Sequence, residues 1–117
     1  MILTIKKNKD FARIFAHGKR YSKQGITLII DENKDRLVRF GFCLSKKLGS
    51  AVRRNKIKRQ LKAIVFQLLP AIKLNLDIIV LAVQVPEDIT FNELKQNLIC
   101  LCRKAKILKQ DFENLGK

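Results

Sequence analysis

Acidic residues are missing from the middle of this chain. Between Arg36 and Leu76 there is no Asp or Glu, while the same stretch holds eleven Lys or Arg. Tryptophan is absent altogether, and His17 is the single histidine. One histidine excludes a two-histidine acid–base mechanism within one chain. The acids fall mainly at Asp31–Asp35, around Pro86 and in the tail, with few in between, which leaves no legible carboxylate cluster for a pair of metal ions. No Ser–His–Asp order or activated cysteine is legible either, so the chain is not expected to catalyse by itself. Cys43, Cys100 and Cys102 lack the spacing of a zinc ribbon and read as free thiols in a reducing compartment. No apolar run approaches the ~20 residues that span a bilayer, and no charged-then-apolar leader opens the chain, so a soluble, cytoplasmic protein is expected. A membrane-surface module is disfavoured because the one strongly basic helix has no Trp and needs its apolar side for the core.

What is present is charge of one sign on a foldable chain. The 117 residues are 47% hydrophobic and 30% charged, with a formal net charge of +15. That length fits one domain, residues 1–117, with a core large enough to need no disulfides. An imbalance of this size says nothing about fold but favours polyanionic partners, nucleic acid first.

The charge is concentrated. Eight of the cations crowd between Lys46 and Lys62. Gly49-Ser50 reads as a turn and an N-cap, because a serine oxygen can accept from the free N–H groups of a first helical turn. Ile57, Leu61, Ile64, Val65 and Leu68 then recur at i, i+4, i+7, i+8 and i+11, one apolar helix face. Asn55, Arg59 and Lys62 fall opposite, with Arg54 and Lys58 on the flank. Cations without acids at i±4 repel one another by a few tenths of a kcal/mol each. A phosphate backbone is the partner that would relieve this repulsion.

Around this helix the chain punctuates itself clearly. Met1–Lys7 reads as an extended arm, and Asn8-Lys9-Asp10 as caps for a short helix with Phe11, Ile14 and Phe15 on one side and Gly18 at its end. Arg13, on the other side of that helix, is expected to be free for phosphate. Gly18–Gln24 is expected to be a basic loop in which Tyr21 is either a stacking residue or a lid. Ile26–Ile30 and Leu37–Leu44 read as strands joined by a hairpin loop at Asp31–Asp35. After the basic helix stops near Pro70, Leu76–Val83 is an apolar run interrupted only by Asp77, as in a strand buried on both faces. Thr90 and Glu93 form a capping box for a last helix whose apolar set runs Leu94, Leu98, Leu101, Ala105, Leu108. The tail from Asp111 is expected to fray. The order predicts an α/β (α+β) two-layer sandwich, a single mixed sheet with three helices. A helix-turn-helix DNA binder is disfavoured, since the basic helix follows a strand and not a partner helix. A ribosomal or translation-associated RNA binder would share the charge, size and fold.

The run SKKLGSAVRRNKIKRQLKAIV resembles the signature of the bacterial ribonuclease P protein subunit, with Ser45, Lys46, Lys47, Gly49, Ala51, Val52, Arg54, Asn55, Lys58 and Arg59 in register. The Phe11–Phe15 helix is similar to the family's pattern too, and the resemblance covers nearly the whole chain. Two positions depart from it: Ile26–Ile30 lacks the aromatic that members often carry, and Val83 follows Ala82 where an Arg is common. The resemblance implies a fold like the second domain of ribosomal protein S5, with a left-handed β–α–β crossover. It implies a subunit that helps a catalytic RNA, working with Mg2+, to remove the 5′ leader of precursor tRNA, with no obligate protein partner. It implies that Lys46, Lys47, Arg53, Arg54, Asn55, Lys56, Lys58, Arg59 and Lys62 meet the RNA subunit. It further implies that Lys7, Phe11, Arg13, Phe15, Arg20 and Tyr21 meet the single-stranded leader.

Overall fold

A computed structural model describes residues 3–109. The expected fraying of the tail from Asp111 lies outside these residues, as do the first two residues of the expected arm. Ten elements follow one another: strand β1 (Leu3–Thr4), helix α1 (Asn8–His17), strands β2 (Lys19–Lys23), β3 (Ile26–Glu32) and β4 (Val38–Leu44), a 3₁₀ turn (Lys46–Leu48), helix α2 (Ala51–Leu68), a second 3₁₀ turn (Leu69–Ala71), strand β5 (Leu76–Ala82) and helix α3 (Phe91–Lys104). The five strands form one mixed sheet in the order β1-β4-β5-β3-β2. β1, β4 and β5 run parallel, while β3 is antiparallel to β5 and β2 to β3. Among the described residues no helix is long and apolar enough to cross a membrane.

Strand alternation divides the protein into two cores. Leu28 on β3, Phe40 on β4 and Ile78 and Val80 on β5 face α2 and α3, where they meet Ile57, Leu61, Ile64, Leu94, Leu98 and Leu101. Ile29 and Ile79 point to the opposite face and pack with Ile5 and Ile14 under α1. β5 lies between β4 and β3 and its odd and even residues fill both cores, which is why Ile78–Ala82 is apolar throughout.

The capping expectations hold for two helices of three. Ser50 Oγ accepts from Arg53 N at 3.2 Å, and Thr90 and Glu93 form the reciprocal capping box. At α1 the helix already includes Asn8, Lys7 takes the cap position, and no side chain caps it. Three further expectations are corrected. Gly18–Gln24 is not a loop: Lys19–Lys23 is edge strand β2, paired with β3 across a tight turn at Gln24-Gly25, whose φ values of 48° and 85° are both left-handed. Asp31–Asp35 does not close a hairpin, because β5 inserts between β3 and β4. α3 stops at Lys104, and a left-handed Lys106 (φ 57°) folds Leu108 back to bridge with Ile72.

Candidate RNA-binding surfaces

The first surface is the outer side of α2. Its buried side chains are Ile57, Leu61, Ile64, Val65 and Leu68, the five that the periodicity selects. Each contributes about 1.5–3 kcal/mol on burial, against a few tenths for each like-charge repulsion, so the core holds the helix despite its one-signed face. Asn55, Lys56, Lys58 and Arg59 are exposed on that face, and Lys46 and Lys47 are exposed in the turn before it. Ser45 Oγ fixes this turn by accepting from Lys47 N at 3.1 Å. Lys62 is half-buried, its ammonium 5.8 Å from the centre of the Phe42 ring.

Two of the expected RNA-facing cations have other surroundings. Arg53 is turned inward: its guanidinium donates to the carbonyls of Leu48, Val85 (3.0 Å) and Pro86 (3.1 Å), tying the first turn of α2 to the chain after β5. It serves the scaffold and is not free for phosphate. Arg54 is half-buried, and its Nε is shielded from water with no hydrogen-bond partner among the described residues. It borders a hollow of about 250 Å3 shared with Phe42, Leu44, Ala51, Asn55 and Lys58. An orphaned buried donor is costly unless an acceptor arrives.

The second surface is the sheet face under α1, which strand register orders into three rows. The first is ionic: Asp31, Asp77 and Arg39 are cross-strand neighbours. Asp77 is fully buried and accepts from Arg39 Nε (2.8 Å) and Nη2 (2.7 Å), from Asn33 Nδ2 (2.9 Å) and from Arg13 Nη2. Burial alone would raise the pKa of this carboxyl. The hydrogen bonds from Arg39, Asn33 and Arg13 outweigh that and hold it below the usual carboxylate range. Arg13 also binds Asp31, so it is locked into the scaffold and is not the free phosphate ligand the sequence suggested. The second row is apolar: Ile29, Ile79 and Gly41, covered by α1. A Cβ on Gly41 would come within 2.6 Å of Phe11 Cε1, so only glycine lets this ring lie directly on β4. The third row is Ser22, Thr27, Leu81 and Cys43, which lies beyond that cover and stays partly open.

Phe11 and Phe15 are half-buried along the edge of this open row, packed on the small core together with Cys43 and Leu81. Arg20 stands over Phe15, its guanidinium carbon 5.6 Å from the ring centre, and donates to the Phe15 carbonyl at 3.2 Å. Lys7 is exposed at the start of α1. Tyr21 is elsewhere. It pairs with Leu28 and packs on the main core, so it lies on the opposite sheet face from Phe11 and Phe15. Thr27, Leu81 and Cys43 lie side by side in this open row, a grouping that only the strand order produces. Burial raises the Cys43 thiol pKa while the charge of Lys58 pulls it down; Lys58 shares a hollow with Phe42 and Leu44, the neighbours of Cys43 on β4.

Among the described residues no three His, Cys, Asp or Glu side chains are placed to hold a metal ion. The acids that do approach one another, Asp10, Asp31 and Asp77, are paired with Arg13 and Arg39.

Known proteins share this arrangement. Residues 3–106 match the family model for ribonuclease P. The ribonuclease P protein component of Natranaerobius thermophilus is 33% identical over 94% of this chain and 96% of its own length. That of Shouchella clausii is 34% identical over 97% and 93%. The solved structure of the Staphylococcus aureus RNase P protein superposes with a TM-score of 0.83 at 35% identity, covering 93% of this chain and all of that one. The Thermotoga maritima protein gives 0.74 at 25% identity, over 84% and 93%. A one-signed helix after β4, half-buried phenylalanines on α1 beside an open strand row and this agreement along almost the whole chain lead to one conclusion: the chain belongs to the ribonuclease P protein family.

Proposed function

We propose that this chain works as the protein subunit of ribonuclease P, a single RNA-binding domain that assists removal of the 5′ leader from precursor tRNA. α2 and the turn before it hold the catalytic RNA through Lys46, Lys47, Asn55, Lys56, Lys58, Arg59 and Lys62, with Arg54 meeting an acceptor at its hollow. The cleft edged by Phe11, Phe15 and Arg20 takes the unpaired leader. The observation that carries this reading is the outer face of α2, cationic and without acids, together with a partly open, phenylalanine-bordered row on the other sheet face that duplex RNA would not need. Mg2+ belongs to the holoenzyme and is held mainly by RNA; the chain's own clustered acids already have arginine partners. Both partners are RNAs of the cell interior, and the protein acts in the cytoplasm with them.

Stacking on an aromatic ring contributes about 1–3 kcal/mol per base and requires unpaired bases. Phe11→Ala and Phe15→Ala therefore weaken binding of precursor tRNA to the reconstituted enzyme, while binding of mature tRNA changes little. The comparison is internal: both rings also pack on the small core, and a loss of fold would weaken both ligands equally. Equal losses would return the two phenylalanines to a purely structural role.

A further inference from the structure

α2 carries apolar side chains on two sides, and only one side is covered. Val52 and Phe66 point away from the core, 79% and 56% exposed. Phe66 is the one exposed phenylalanine among the described residues. At about 100° per residue, Asn55, Arg59, Lys62 and Phe66 fall within a stripe about 60° wide, and Val52 lies about 20° outside it. From Val52 to Phe66 this strip is about 21 Å long. A single exposed apolar residue is ordinary. An aromatic ring in line with two cations, on a helix without acids, forms a more specific surface. The long side chain one turn earlier leaves the ring uncovered, since the Lys62 ammonium lies over Phe42 instead.

We propose that Phe66 stacks an unpaired nucleobase of the ribonuclease P RNA, with Arg59 and Lys62 meeting phosphates of the same segment. The strip is then a nucleotide-binding rail with an aromatic stop at its C-terminal end. This rests on the reading of the chain as a ribonuclease P subunit. It adds that the α2 contact is not purely electrostatic: one part of it selects an unstacked base. A second copy of this chain would be the other possible cover for the ring, but the cations beside it would face those of the copy.

The test measures affinity of the full chain for a bacterial ribonuclease P RNA across a salt series, with Phe66→Ala, Phe66→Leu, Phe66→Trp and Arg59→Ala. Phe66→Ala and Phe66→Leu are each expected to weaken binding about five- to a hundredfold with the log–log salt slope unchanged, because stacking releases no counterions. Arg59→Ala is expected to flatten that slope by about one. Phe66→Trp should keep the affinity, and since the chain has no other Trp, its emission should be quenched when RNA binds. Phe66→Ala binding as tightly as the parent, while Arg59→Ala binds more weakly, would overturn the proposal and leave the subunit reading standing. So would a large drop in melting temperature for Phe66→Ala, or a loss of self-association with RNA affinity intact. If the parent chain binds this RNA no better than an unrelated structured RNA, the subunit reading itself fails, and the proposal with it.

Discussion

Gly41 sets how closely α1 can approach the sheet. With any side chain there, the Phe11 ring would have to lift from β4. Gly41→Ala is expected to cost about 1–3 kcal/mol by overpacking and to weaken precursor tRNA binding at the same time, since the displaced ring edges the cleft. Denaturant midpoints and leader affinity measured on one preparation check both. Asp77 is the other residue on which that face depends. Its pKa is depressed in the folded protein, so its contribution to stability is fully present above the unfolded value of about 3.9 and is lost as pH falls through the folded value. Urea midpoints should therefore fall below about pH 4, and less steeply in Asp77→Asn, which has no charge to lose. At neutral pH Asp77→Ala should cost about 3 kcal/mol, the low end for breaking a buried ion pair, because Arg13 and Arg39 keep some contact with water. None of this was legible in the sequence. Arg13 looks like any other cation until the fold brings Asp77, 64 positions away, to its guanidinium.

At the scale of elements, α2 was the most legible part of the chain. Its cap, its buried face and its end near Pro70 all stand as the local pattern has them, because each is set within a few residues. The faces can be tested directly. Arg59→Ala should leave the melting temperature nearly unchanged, within about 0.5 kcal/mol of stability, while weakening RNA binding. Ile64→Asp buries an unpaired charge in the main core and should unfold the protein, a loss above about 4 kcal/mol. Melting curves that shift alike would mean the two faces are wrongly assigned. β2 was misread because KRYSK, with three cations in five residues, lacks the apolar alternation of a half-buried strand; it is an edge strand with little to bury. The hairpin between β3 and β4 was misread for another reason. Consecutive strands usually pair, and only long-range contacts place β5 between them. The same displacement hid the row of Thr27, Leu81 and Cys43, while Tyr21 faces the far side because it alternates with Arg20 and Ser22 along β2.

Across the described residues the sheet has one face covered by α2 and α3 and one partly open face beside α1, and α2 turns its cationic side outward. That geometry suits a protein that holds two RNAs together and offsets their mutual repulsion. Catalysis by the RNA partner is consistent with membership of the ribonuclease P protein family. The most direct measurement uses protein freed of RNA by nuclease digestion and denaturing purification, then refolded and mixed with precursor tRNA at a range of Mg2+ concentrations. Alone, it should leave the substrate uncut at every concentration. Added to a bacterial ribonuclease P RNA, it should speed cleavage at the leader junction most at low Mg2+. The gain should shrink at high Mg2+ without vanishing, because ions can replace screening but not the leader contacts at Phe11 and Phe15. Cleavage at the correct junction by the RNA-free protein alone would contradict the account.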